Sequence, residues 1–321
     1  MNKKCLVLGS SGLIGTHLVQ YLKDQGHIVT GADRYVNKQE HGAPNRMLVG
    51  DLTDYDFVHD LFKDQPDEVY HLAAEMGGAG YIFTGDNDAE IMMNSMGITM
   101  NVIKACRDVH NARIFYSSSA CVYPEYNQMN VEDLTCAESS AYPAAPDSNY
   151  GWEKLTSERL LMAAARNLGL TVRIARIHNV FGPGGAWDGG REKAPAAICR
   201  KVAQAENRGT IEVWGTGEQT RSFLYVDECI QGIIRIMNSD CNEPLNLGSE
   251  EMITINELVG IVAGISGKDI YINNVPGPLG VNARVSDNTL IREKLNWAPA
   301  ERLREGLEVL YAWVQQQVQS E

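Results

Sequence analysis

The sequence predicts an α/β protein, a doubly wound parallel sheet carrying a smaller carboxy-terminal lobe. Three observations predict it. Through the first 180 residues, short β-branched runs alternate with amphipathic segments, the pattern of a parallel sheet covered by helices on both faces. The first such run leads into Gly9-Ser-Ser-Gly12-Leu-Ile-Gly15, a glycine-rich turn that opens a helix. After Asn179 the texture changes to Val180-Phe-Gly-Pro-Gly-Gly-Ala-Trp-Asp-Gly-Gly190 and then to shorter elements, which marks the start of the second lobe.

The bulk properties fit one large domain and its lobe: 321 residues, 44% of them hydrophobic. No stretch approaches the roughly 20 apolar residues that span a bilayer, so no membrane partner is expected. The segment Met1-Asn-Lys-Lys-Cys-Leu-Val-Leu8 runs into the glycine turn without a small-residue cleavage site, as a first strand does and a signal peptide does not. Seven cysteines are scattered without a CxxC pair, which suggests neither a disulfide framework nor a zinc cluster and fits a reducing cytoplasm. The seven histidines show neither HxH nor HxxxH spacing, so a metal site has little support. A net charge of −13 repels polyanions and argues against nucleic acid or an acidic membrane as partner. An anionic small ligand must therefore meet locally concentrated arginines.

The elements follow in chain order. Strands are expected at Lys4–Leu8, Ile28–Ala32, Arg46–Val49, Glu68–Leu72, Arg113–Ser117 and Thr171–Ile177. Helical spacing joins Leu13, Leu18 and Leu22, then Met100, Val102, Ile103 and Cys106. Right-handed crossovers wind such a chain on both faces of its sheet. In the second lobe Thr254-Ile-Asn-Glu257 is a capping box for a helix ending near Gly267, and Leu303 to Val318 is an amphipathic terminal helix.

Strand, glycine turn and helix start coincide at Gly9, Gly12 and Gly15, the arrangement of a Rossmann dinucleotide site. The helix amino terminus, at Leu13 and Ile14, faces the pyrophosphate. Asp33 ends the second strand 18 residues past Gly15, where a carboxylate accepts both ribose hydroxyls and repels a 2′-phosphate. NAD is thus favoured over NADP, although Arg34 adjoins. Asp51, after the third strand, is either an acceptor for the adenine amino group, with Leu52 beside it, or a helix cap in Asp51-Leu-Thr-Asp54. His71 reads as a satisfied core residue.

Tyr150 and Lys154 lie four apart at the start of a helix and share a face. A lysine ammonium and the positive nicotinamide of NAD are expected to favour the phenolate and lower its pKa, so that Tyr150 removes a hydroxyl proton while hydride leaves for the cofactor. Ser119, just beyond the fifth strand, is placed to hydrogen-bond the same hydroxyl. A lone Tyr-x-x-x-Lys is as well explained by a surface helix pair; the glycine turn and the Ser117-Ser-Ser119 run give it weight.

With those residues in place, the chain resembles the extended short-chain dehydrogenase/reductases of the nucleotide-sugar epimerase and dehydratase group over nearly its whole length. Within that group it is similar to the GDP-mannose 3,5-epimerases. The likeness is carried by Ala73-Ala-Glu-Met-Gly-Gly-Ala-Gly-Tyr-Ile82, Ser118-Ser-Ala-Cys-Val-Tyr-Pro-Glu125, Gly189-Gly-Arg-Glu-Lys-Ala-Pro-Ala-Ala197, Trp214-Gly-Thr-Gly-Glu-Gln-Thr-Arg-Ser-Phe223 and Ser286-Asp-Asn288. It implies a Rossmann domain for NAD over residues 1–178, rejoined by about 219–248, and a substrate lobe over most of 179–321.

The resemblance also implies roles. Ser119, Tyr150 and Lys154 oxidise carbon 4 of a hexose, and Cys121 and Lys193 are the acid/base pair at carbons 3 and 5. Met76, Gly77 and Gly78 approach the sugar, Glu192 contacts it, and Asn179, Arg221 and Arg284 hold the nucleotide diphosphate. Four of these have a plainer reading: Cys121 as core, Lys193 as a solvated loop residue, Glu192 as a surface carboxylate, Arg221 as an exposed strand-edge arginine. Asn282 stands where plant members have arginine, which removes one cation near the nucleotide. A homodimer through helices of the larger domain is a family expectation. A 4,6-dehydratase is disfavoured, because its Asp-Glu pair is replaced by Ala120-Cys121. A 4-epimerase and a silent NAD sensor are the other readings.

Overall fold

The computed structural model describes residues 2–36, 42–130, 136–278 and 280–320. Strands β1 (Lys4–Leu8), β2 (Ile28–Asp33), β3 (Arg46–Val49), β4 (Glu68–His71), β5 (Arg113–Ser119) and β6 (Val172–Ile177) are the six expected, β1 and β3 at the expected bounds and the other four with one end shifted by one or two residues. Between them lie α1 (Leu13–Asp24), α2 (Tyr55–Phe62), α3 (Ala79–Ile82), α4 (Asp88–Asp108) and α5 (Asn149–Leu168). Next come β7 (Val180–Phe181), α6 (Ala194–Gln204), β8 (Gly209–Trp214), β9 (Thr220–Ser222), β10 (Leu224–Tyr225), α7 (Val226–Asn238) and β11 (Leu245–Leu247). The chain closes with β12 (Met252–Thr254), α8 (Ile255–Ser266), β13 (Ile270–Val275), β14 (Ala283–Arg284), α9 (Thr289–Leu295) and α10 (Leu303–Ser320).

The central sheet has seven strands in the order β11-β6-β5-β4-β1-β2-β3, all pairs parallel. The order reverses beside β1, and that reversal leaves a crevice at the carboxyl ends of β1 and β4. The two faces separate along β1 with the period of two that a strand imposes. Cys5 and Val7 join the core made by Leu18, Leu22, Ile230 and Ile233 of α1 and α7, while Leu6 and Leu8 join that made by Val58, Phe62, Val102 and Leu161 of α2, α4 and α5. The sequence does not announce β11, a three-residue strand that completes the sheet from beyond the lobe elements.

Local chemistry sets several ends. Helix α5 starts where the Ser148 hydroxyl accepts from the Gly151 amide and stops at Gly169, whose φ of +70° is left-handed. Helix α8 carries the full capping box, with the Thr254 hydroxyl accepting from the Glu257 amide and the Glu257 carboxylate accepting from the Thr254 amide. It ends at Gly267. In the lobe, β13 runs parallel to β8, and β9 lies between β12 and β14. Among the described residues, no helix is long and apolar enough to cross a membrane.

Candidate active site

The glycine turn has the dimensions of a cradle. Gly9 sits at φ +83°, and a Cβ on Gly15 would stand 2.1 Å from the Gly9 carbonyl oxygen. Only glycine lets the helix start lie this close to the strand end. Gly12 precedes α1 without a side-chain cap, so the first-turn amides of Leu13, Ile14 and Gly15 are directed at whatever fills the crevice. The Asp33 carboxylate, at the end of β2, accepts from the Ser11 amide at 2.9 Å and the Arg34 amide at 2.7 Å. It is thereby aimed at the mouth of the turn. The Arg34 guanidinium turns aside to Glu75 at 2.5 Å. These features fit a dinucleotide whose ribose meets a carboxylate.

The cap reading of one neighbour does not hold. Asp51 does not cap the next helix: Asp54 does, accepting from the Asp56 amide at 2.9 Å. Asp51 is exposed and accepts from the Thr53 amide at 2.9 Å, and that hydrogen bond holds its carboxyl below the usual range. The Leu52 side chain is buried in the core, so only its backbone can meet a ligand.

Beside the crevice lies a cavity of about 420 Å³ between the sheet and the lobe. Strand β5 delivers Ser119 to its wall, and a 3₁₀ turn at Ala120–Val122 turns Cys121 in after it. Helix α5 docks on that turn so closely that a Cβ on Gly151 would stand 2.1 Å from the Cys121 carbonyl oxygen. This approach brings Tyr150 and Lys154 to the same wall. From the segments after β6 come Glu192 and Lys193 ahead of α6, Arg221 on β9 and Arg284 on β14, with Asn179 between β6 and β7. Met76, Gly77 and Gly78 form the rim. Gly78 donates its amide to the Arg191 carbonyl at 3.0 Å, and its Cα faces the Glu192 carbonyl so tightly that a Cβ would stand 2.2 Å away.

Without the nicotinamide charge, the chain alone sets the resting state of the phenol. Tyr150 is not shifted down: burial, then the neighbouring Cys121 and Glu153, push its phenol above the usual range, while the hydrogen bond with Ser119 pulls weakly the other way. Burial also pulls the Lys154 ammonium down. Its Nζ donates to the Ser117 carbonyl at 3.0 Å and lies 5.7 Å from the Tyr150 ring centre. The protein alone therefore holds a phenol, and further positive charge beside it is needed to make the phenolate. Lys193 is lowered by burial, against a raising influence from Cys121.

The plainer readings of several residues do not describe the structure. Cys121 is half-buried on the cavity wall, whereas Cys5, Cys106, Cys136, Cys199 and Cys229 are core. The Glu192 side chain is only 9% exposed, paired with Arg200 at 2.9 Å and accepting from the Gly190 amide at 2.7 Å. Arg221 is drawn inward, donating to the carbonyls of Thr220 and Val281 at 2.8 and 2.6 Å, and desolvation lowers its pKa to about 10. Arg284 donates to Asp147 at 3.0 Å, to Gln128 at 2.5 Å and to the Cys121 sulfur at 3.1 Å, so its guanidinium braces the thiol wall. Asn179 donates to the Ser222 carbonyl at 2.9 Å. Asn282 reaches the Met129 carbonyl at 2.9 Å. His71 is a core residue but not the satisfied one expected: Nε2 lies 3.0 Å from the Thr99 hydroxyl, Nδ1 is buried without a hydrogen-bond partner among the described residues, and burial lowers its pKa to about 3.

Sequence reasoning missed Lys201, Trp214 and Gln219, which line the same cavity. A signal existed for Lys201: with Ala194, Ala197 and Ile198 it forms an i, i+3, i+4, i+7 face of α6 turned to the cavity.

The NAD dependent epimerase/dehydratase family matches residues 5–248, about three quarters of the chain. The chain belongs to this family. A GDP-mannose 3,5-epimerase of Arabidopsis thaliana is 43% identical over 100% of this chain and 84% of its own length. GDP-mannose 3,5-epimerase 1 of Oryza sativa subsp. indica is 42% identical over 98% and 82%. Among solved structures, the UDP-glucuronic acid 4-epimerase of Bacillus cereus in complex with UDP-glucuronic acid and NAD superposes with a TM-score of 0.83 at 26% identity, covering 98% of this chain and 99% of its own. Family membership and the glycine cradle agree on NAD as the cofactor.

Proposed function

We propose that this protein inverts carbons 3 and 5 of the hexose of GDP-mannose through a 4-keto intermediate, the GDP-mannose 3,5-epimerase reaction. The observation that carries the reading is one cavity shared by Ser119, Tyr150 and Lys154 with Cys121 and Lys193, two proton carriers that simple oxidation would not need. Identity of 43% to the Arabidopsis enzyme supports the choice of substrate. NAD, when bound, supplies the acceptor and later the donor of the carbon-4 hydride. Tyr150 takes the proton from the carbon-4 hydroxyl, which Ser119 orients by a hydrogen bond. With a ketone at carbon 4, the hydrogens on carbons 3 and 5 become acidic, because their removal gives enolates.

Inversion needs removal on one face of the ring and delivery on the other. Cys121 follows β5 and Lys193 precedes α6, so they approach from different walls. Desolvation of Lys193 brings its proton closer to exchange at neutral pH. Asn179, Arg221 and Arg284 hold the diphosphate, guanidinium being suited to bidentate contact. Met76, Gly77, Gly78 and Glu192 meet the sugar. In this reading residues 1–178, with 219–248, hold NAD, and most of 179–321 holds the substrate.

The protein works in the cytoplasm, a setting supported by seven free cysteines. It pairs as a homodimer, supported by Met93 and Met100 of α4 and Trp152 of α5 standing exposed. Incubation with GDP-mannose and NAD, followed by chromatography, should yield GDP-galactose of the L series. Inversion confined to carbon 4 would favour the 4-epimerase reading instead, and unaltered substrate would overturn both.

A further inference from the structure

In the central sheet β4 and β2 flank β1. A bond from the residue after β2 to the loop after β4 therefore passes across the carboxyl end of β1, where the glycine turn begins. Arg34 and Glu75 make that bond at 2.5 Å. The Glu75 side chain is 5% exposed, and a buried carboxylate is costly unless it is paired and hydrogen-bonded. Its partners come from both sides. The other carboxylate oxygen faces Arg191 at 3.9 Å and the Tyr81 hydroxyl at 3.4 Å, with the Arg191 guanidinium stacked 4.3 Å from the Tyr81 ring centre. The Glu75 amide donates to the Ser95 hydroxyl at 3.0 Å and Asn94 reaches its carboxylate at 3.5 Å, which fixes the pin to α4. Arg191 lies two residues before Lys193, and its carbonyl is held by the Gly78 amide.

We propose that Glu75 is the pin of a clasp over the dinucleotide groove. Arg34 from the sheet and Arg191 from the Lys193 loop close on it, retaining the cofactor between turnovers and setting the position of Lys193. Glu75 is thus a positioning residue, acting through the two arginines. The inference rests on the proposed function only for the need of retention: a redox-neutral cycle ends with the cofactor as it began, so release serves no step.

The test uses the full chain loaded with NAD and needs no sugar. Release of labelled NAD into excess unlabelled NAD is timed for the wild type, Glu75→Gln, Arg34→Gln and Arg191→Gln. Release should speed up about tenfold in Glu75→Gln, the equivalent of about 1.4 kcal/mol, and by less in each arginine variant. The double arginine variant should be no faster than Glu75→Gln. Hydrogen exchange of the amides at 189–193 should slow on NAD binding in the wild type and not in Glu75→Gln. Wild-type release from a folded Glu75→Gln, or equal protection of the loop in it, overturns the clasp. If Glu75→Gln fails to fold, the half-exposed arginines decide, and wild-type release from both overturns it equally. Slow, clasp-dependent release from a protein that leaves GDP-mannose unchanged would sink the function and leave the clasp standing.

Discussion

Gly78→Ala tests the placement of the proton-delivering loop through a single backbone contact. Gly78 has a φ of −74°, which alanine adopts without strain, so the substitution acts through its methyl group alone. That methyl carbon would stand 2.2 Å from the Glu192 carbonyl oxygen, while ordinary contact begins at 3.4 Å. One of the two backbones must retreat by the difference, 3.4 − 2.2, about 1.2 Å. Both are backbone, so neither can swing away as a side chain would. The Glu192 carbonyl is one bond from the Lys193 amide, and the retreat carries Lys193 with it. A misplacement of about 1 Å costs on the order of a hundredfold in rate. The assay is single-turnover reaction with GDP-mannose, following carbon-4 hydride transfer by nicotinamide absorbance and proton exchange at carbons 3 and 5 by NMR. Exchange should fall about a hundredfold while NAD still binds at the distant glycine turn, its release quickened no more than in Arg191→Gln. Wild-type exchange in Gly78→Ala would refute the claim that this backbone contact positions Lys193.

Three further outcomes follow from the same geometry. Cys121→Ala and Lys193→Met should each lose at least a hundredfold in exchange at carbons 3 and 5, the scale of a lost acid or base, with NAD affinity measured by calorimetry unchanged; full exchange in either removes that residue from the mechanism. Lys154→Met deletes a cation beside a phenol already raised by burial, so the anionic form becomes harder still to reach, and the kcat profile should shift to higher pH; an unmoved profile shows that Lys154 does not act on Tyr150. His71 and His178 are buried and held neutral, each lowered to about 3, so between pH 6.5 and 3 the unfolded chain binds the extra protons and stability falls as pH falls. From pH 7 to 5 the two together should cost about 4 kcal/mol, read as a drop in urea-unfolding free energy, and a flat profile over that range would contradict their burial in neutral form.

Much of the fold was legible because its signals are local. A capping box at Thr254 and Glu257 spans four residues, and the six strands announce themselves by their own β-branched runs. What escaped depends on separation in sequence or on burial. The three-residue β11 carries no pattern of its own and exists because β6 offers an edge. The Arg284 contacts span 137 residues to Asp147 and 163 to Cys121, and nothing near either end signals them. The same holds for Arg34 and Glu75, whose pairing follows from the strand order around β1. The upward shift of Tyr150 in the chain alone is not legible in the sequence, because spacing shows which charges are near and not how much water has been removed. Desolvation is the largest cause of the upward shift. For the site itself, Ser119, Tyr150 and Lys154 could be read from chemistry and spacing, whereas Cys121 and Lys193 were visible only through family likeness, since a lone cysteine and a lone loop lysine have commoner explanations.

The central claim is that a transient ketone at carbon 4 lets protons leave and return at carbons 3 and 5. Incubation with GDP-mannose and NAD in deuterated water, with NMR of the recovered sugar, tests it most directly. Deuterium at both carbons 3 and 5, with carbon 4 unlabelled, is the predicted result. A converted sugar bearing no deuterium at either carbon would contradict it.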